Sequence, residues 1–123
     1  MRMAQQPVPK VREEDVRRIA LRDFGDGKLA LALSILDEFA KQSPGESSAR
    51  VRLAILKLAN GDLERLSDAT KTAIEDYRDV LAAAEYPRYC REVGFADTPE
   101  SAEQAVIDDD WRHYREWLER KSG

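Results

Sequence analysis

One cysteine, one histidine and no long apolar run set the first limits on this 123-residue chain. A single thiol, Cys90, cannot build an internal disulfide framework or a cysteine-rich zinc site. No stretch approaches the roughly 20 apolar residues of a membrane-spanning helix. The opening MRMAQQPVPK has no apolar core of signal-peptide length. A cytoplasmic protein with no membrane contact is therefore expected. The six glycines are scattered, so no phosphate-cradling loop is present. Basic charge is also short: 24 acidic residues against 20 basic ones give a net charge of −4. The chain thus lacks the electrostatic footprint of a duplex-binding protein, and nucleic acid is not an expected partner.

What remains is a composition of 42% hydrophobic and 36% charged residues, which is that of a globular protein. The length suits one domain with one real core. Residues 1–9, with Pro7 and Pro9 and little to bury, read as a flexible N-terminal segment. Residues 10–123 read as a single helical domain. The spacing predicts a first helix from Val11 to Phe24, with Val16, Ile19, Ala20 and Phe24 as its apolar stripe. Gly25-Asp26-Gly27 breaks it. A second helix follows from Lys28 to Gln42; the alternation in LALALSIL also fits a strand, but alanine and leucine favour helix. Ser43-Pro44-Gly45-Glu46 has the form of a capping box opening a third helix, which runs to Asn60 and is apolar on most sides, as a central helix is.

Gly61 suits a left-handed helix stop and Asp62 an N-cap. The fourth helix carries Leu63, Leu66, Thr70, Ala73, Tyr77, Val80 and Ala84 at spacings of three and four, a bundle-type seam. It is predicted to stop at Tyr86, because Pro87 disfavours a helical conformation there. Residues 88–97 read as a connector, and Thr98-Pro99-Glu100 starts a last helix that ends near Arg120. The expected fold is all-α, a single irregular bundle of about five helices.

Few residues suggest chemistry. Asp110 and His113 lie three apart and could supply two metal ligands, as could the acidic pairs Asp76 with Asp79 and Glu116 with Glu119. With so many acids on helices, such pairs arise by chance, and no metal or cofactor is expected. Asp110 is the most unusual acid. At the helical period it falls among Val106, Ile107, Tyr114 and Trp117, where a carboxylate needs a partner. An arginine or a tyrosine hydroxyl is the expected one. Cys90 sits between Arg88 and Arg91, whose charge would lower a thiol pKa, but it has no neighbouring base. Trp111, Tyr114, Trp117, Tyr86 and Tyr89 form either a groove or ordinary core, and Arg50, Arg52, Arg88 and Arg91 a basic spot or ordinary surface charge.

Arg50 to Pro87 resembles small bacterial proteins that carry the pattern RVxLAILKLxxGDLxxL followed by DYRDVLAxAEYP. The matching residues are Arg50, Val51, Leu53 to Leu58, Gly61 to Leu63, Leu66, Asp76 to Ala82 and Ala84 to Pro87. The run from Asp110 to Leu118 is similar to the tail of the same group, so the resemblance spans about the last two thirds of the chain. No activity is assigned to the group. The resemblance implies a compact bacterial all-α protein and transfers no catalytic residue. The leading expectation is a non-enzymatic cytoplasmic interaction protein whose partner is another protein. The alternatives are a small metal-dependent hydrolase with carboxylate ligands and an acidic immunity-type protein that neutralises a basic partner.

Overall fold

The computed structural model describes residues 7–45, 47–92 and 100–121, and among them there are five α-helices and no strand. Helix α1 (Glu13–Gln42) opens on three acids at the positive end of its dipole, and Asp15 accepts the Arg12 N–H at 2.9 Å. The helix is bent where the sequence breaks it. Gly25 has φ 70° and ψ 172°, a conformation that only glycine adopts without strain, and the two expected helical segments meet there. The LALALSIL stretch is helical.

Helix α2 (Ala49–Ala59) starts later than Ser43. Ser43 instead closes α1, its N–H bonding to the Phe39 carbonyl, and Ser48 caps α2 by accepting the Val51 N–H at 3.3 Å. Two serine-rich starts lie within six residues, and the nearer one to the apolar run prevails; Glu46 lies outside the described residues. Six of the 11 residues of α2 are buried, as befits a central helix. Asn60 already takes the left-handed conformation (φ 48°) and Gly61 follows at φ 80°. Asp62 then caps helix α3 (Leu63–Glu85), accepting the Arg65 N–H at 3.0 Å. With so short a link, α2 and α3 form an antiparallel hairpin and make the most extensive helix contact in the molecule.

Helix α3 carries a break that the seam pattern does not announce. Asp76 is non-helical (φ −156°, ψ 101°), and its carboxylate accepts the Arg78 N–H at 3.0 Å, so it restarts the helix as an internal cap. Pro87 does end α3 at Tyr86, but it also opens a short helix, α4 (Pro87–Glu92), in part of the expected connector. Helix α5 (Glu100–Glu119) completes the bundle; its expected Thr98-Pro99 start lies outside the described residues. One apolar cluster built by α1, α2 and α3 contains Ile19, Phe39, Leu53, Leu56 and Leu66. Helix α5 buries Val106, Ile107 and Tyr114, and its Trp117 and Leu118 pack against that cluster.

Of the N-terminal segment, residues 1–6 lie outside the described residues. Pro7 to Lys10 cross the bundle between α5 and the α3–α4 corner: the Tyr86 hydroxyl donates to the Pro7 carbonyl, and Pro9 is buried.

Candidate functional site

The acids and bases that could do chemistry are distributed over several structural duties. Asp110 is buried, at 4% exposure, so the helical phase read from the sequence holds. Its partners differ from the expected arginine or tyrosine hydroxyl. Both carboxylate oxygens accept backbone N–H groups in the first turn of α4: Oδ1 from Arg88 at 3.2 Å and Oδ2 from Tyr89 at 2.9 Å. The carboxylate therefore satisfies two free donors of a helix start and lies at the positive end of its dipole. The helix start exists only after Pro87 has turned the chain, so sequence spacing alone could not name these partners.

His113 turns away from Asp110. It is exposed, with Nε2 at 3.6 Å from Asp109 Oδ1. Asp109 also accepts from Arg112 and, at 3.1 Å, from Arg88, and these arginines hold its carboxyl below the usual range. Asp76 is gripped by the Arg78 guanidinium at 3.0 and 3.1 Å, which likewise lowers its pKa, while Asp79 is exposed. Among the described residues no group of three or more histidine, cysteine or acidic side chains could hold a metal ion.

Cys90 is exposed, but its thiol is not activated by its arginine neighbours. Partial burial, then the Asp110 carboxylate, push its pKa up, while Arg88 is engaged with Glu92 at 2.5 Å and with Asp109. The other arginines do not gather into a basic spot: Arg52 pairs with Glu13, and Arg50 with Glu85.

That last pair is the most deeply set ionic feature of α3. Glu85 is 2% exposed and accepts a fork from Arg50, Nε at 2.8 Å and Nη2 at 2.7 Å, which raises the arginine pKa. The sequence held a signal for it, since Glu85 lies four residues after Leu81 on the flank of the apolar seam. Glu85→Ala is expected to destabilise the fold by about 2 kcal/mol in urea melts. That is less than the loss for a fully buried pair, because Arg50 keeps access to water. Replacing the pair together, Arg50→Met with Glu85→Leu, is expected to recover most of the loss.

A second buried ion pair lies on α1. Arg22 and Asp23 on α1 meet at 2.8 Å with almost no exposure of either side chain. The Arg22 guanidinium donates to the Trp117 carbonyl at 2.5 Å and the Arg120 carbonyl at 2.9 Å, and lies over the Trp117 ring at 5.2 Å. It thereby caps the end of α5. Adjacent opposite charges on a helix normally read as solvated surface. The available signal was Asp23, seven residues after Val16 and four after Ile19 on the apolar stripe.

The aromatic residues divide between core and groove. Tyr114 and Tyr86 are buried, while Trp111, Trp117 and Tyr89 are half-buried. Trp111 and Tyr114 stack with centroids 6.2 Å apart. The Tyr114 hydroxyl and Trp117 Nε1 are buried without a hydrogen-bond partner. Two clefts flank the crossing N-terminal segment. One, of about 340 Å³, is lined by Pro7, Val8, Arg50, Tyr86, Tyr89 and Cys90 among others. The other, of about 320 Å³, includes Val8, Pro9, Lys10, Trp111, Tyr114 and Leu118.

Burial, then the nearby Glu85 charge, push the Tyr86 phenol up to about 12, and burial also raises Tyr114. The fold thus favours the neutral phenol. Its contribution is intact below the ordinary tyrosine value of about 10 and is lost as pH rises through about 12. In an alkaline titration followed at the phenolate absorbance, these two tyrosines are expected to ionise only as the helical signal falls. Tyr86→Phe should shift the alkaline unfolding midpoint to higher pH.

Compared with known proteins, the chain matches no family model, no curated protein and no solved structure.

Proposed function

We propose that this protein is a non-enzymatic interaction protein of the cytoplasm, belonging with the small bacterial all-α proteins whose pattern its hairpin carries, and that it binds another protein through the aromatic face crossed by residues 7–10. The observation that carries this reading is the pair of clefts of about 340 and 320 Å³ on either side of that segment. Their walls combine tyrosine and tryptophan with aliphatic stems, the side chains that anchor protein interfaces. Asp110, the acid best placed for catalysis by burial, spends both oxygens on backbone amides.

The test is capture with the tagged full chain, identification of the retained protein, and reconstitution from purified components. The reading expects a stoichiometric complex that is weakened at least tenfold by Trp111→Ala. Failure to reconstitute any complex overturns it. So does a hydrolytic activity that requires a divalent cation and disappears in Asp76→Asn or Asp110→Asn.

A further inference from the structure

The segment Pro7-Val8-Pro9 lies across the aromatic face. Tyr86 donates its hydroxyl to the Pro7 carbonyl. Pro9 is buried, and Val8 between them is 57% exposed. Proline-containing extended chain makes no internal backbone hydrogen bonds, so its carbonyls are free to accept from tyrosine and tryptophan donors, and its stiffness lowers the entropy lost on docking. Proline also brings no N–H that burial would leave unpaired.

The segment fills only the middle of the face. Val8 belongs to both clefts, so vacant volume continues on each side of it. The charges along the face are largely balanced. Arg50 is paired with Glu85, and Arg115 lies 3.7 Å from Glu119. Lys10 and Arg115 share the second cleft with Glu119, so its charges set no clear preference for the residue after the second proline.

We propose that this face is a docking groove for an extended Pro-x-Pro segment of a partner protein, and that residues 7–10 occupy it in cis as a built-in competitor. The proposal rests on the interaction-protein reading and names the chemistry of the partner. A tethered segment competes at an effective concentration of roughly millimolar for a short linker, so a partner must extend into the vacant clefts to displace it. Weakening the cis segment should open the groove to the same sequence added in trans.

The test uses a labelled synthetic peptide of residues 5–12, QQPVPKVR, and a control with both prolines replaced by serine, titrated by fluorescence anisotropy into the full chain. Pro9→Ser protein is expected to bind the peptide at least tenfold more tightly than the wild type. The serine control should bind at least tenfold more weakly, and Trp111→Ala in the Pro9→Ser background should abolish the gain. Should Pro9→Ser fail to fold by circular dichroism, excess peptide added to wild-type protein is expected to shift the Trp111 indole resonance, and the serine control is not.

Equal binding of the two peptides, or no gain in folded Pro9→Ser, overturns the proposal. So does an indole resonance unmoved by excess peptide. Dimerisation of Pro9→Ser without peptide binding also overturns it, by assigning the groove to a second copy of the chain. A reconstituted complex that the peptide fails to displace would leave the interaction-protein reading standing and remove only this recognition chemistry.

Discussion

Gly61→Val is expected to lower stability by about 3 kcal/mol, a fall of about 10–15 °C in Tm. Two independent costs combine at this position. The residue has φ 80°, where a β-branched side chain is strained, and an added Cβ would come within 2.9 Å of the Asp23 backbone carbonyl oxygen. That oxygen belongs to α1 and cannot swing aside as a flexible side chain would. Two other glycines separate the costs. Gly25 also has positive φ, but nothing lies within 4 Å of its added Cβ, so Gly25→Ala is expected to cost about 1–3 kcal/mol from conformation alone. Gly27 has neither problem, and Gly27→Ala is expected to be neutral or to stabilise by up to about 1 kcal/mol. Thermal melts of the three variants check the series. An unchanged Tm for Gly61→Val would mean that the α2–α3 link does not approach α1 in this way.

Asp110→Ala is the second large effect, with an expected loss of about 2 to 3 kcal/mol. The substitution leaves the Arg88 and Tyr89 amides without acceptors in a partly buried site, and it removes a helix cap. Asp110→Asn should be intermediate, because one oxygen still accepts while the amide NH₂ faces a second donor. Asp108 is exposed and accepts from Gln104 at 2.9 Å, so Asp108→Ala should lie within about 0.5 kcal/mol of the wild type. Asp109→Ala should cost clearly less than Asp110→Ala, since its arginine pairs are near the surface. Urea denaturation of the set decides the order. Equal effects at 108 and 110 would contradict the capping role.

The features legible in the sequence were those fixed by local rules. Apolar spacing located every helix of the main core, and it placed Asp110 on the buried arc of α5. Gly25 and Pro87 marked real interruptions, and Asp62 a real cap. The misreadings occur where tertiary structure chooses between local options. Ser43 and Ser48 both had cap chemistry, and packing of α2 selected Ser48. The break at Asp76 sits inside an unbroken apolar seam, so periodicity could not show it. The partners of Asp110 are backbone amides, which every residue but proline carries and which no side-chain pattern distinguishes. The arginines beside Cys90 could lower a thiol pKa by their sequence position, but Arg88 is engaged by Glu92 and Asp109. The groove is the least legible part, because its floor is assembled from α3, α4 and α5 and its present occupant from the other end of the chain.

The contact between Arg22 and the end of α5 also dictates an order of assembly. Trp117 lies 95 positions after Arg22, so a nascent chain can finish the α1–α3 core while Arg22 and Asp23 are still hydrated. Only the arrival of the final turn roofs them over. A contact closed so late contributes to holding the native state together without speeding its formation. In stopped-flow chevrons, Arg22→Met is therefore expected to leave the refolding limb in place and to raise the unfolding limb, which makes the last turn of α5 the guardian of kinetic lifetime.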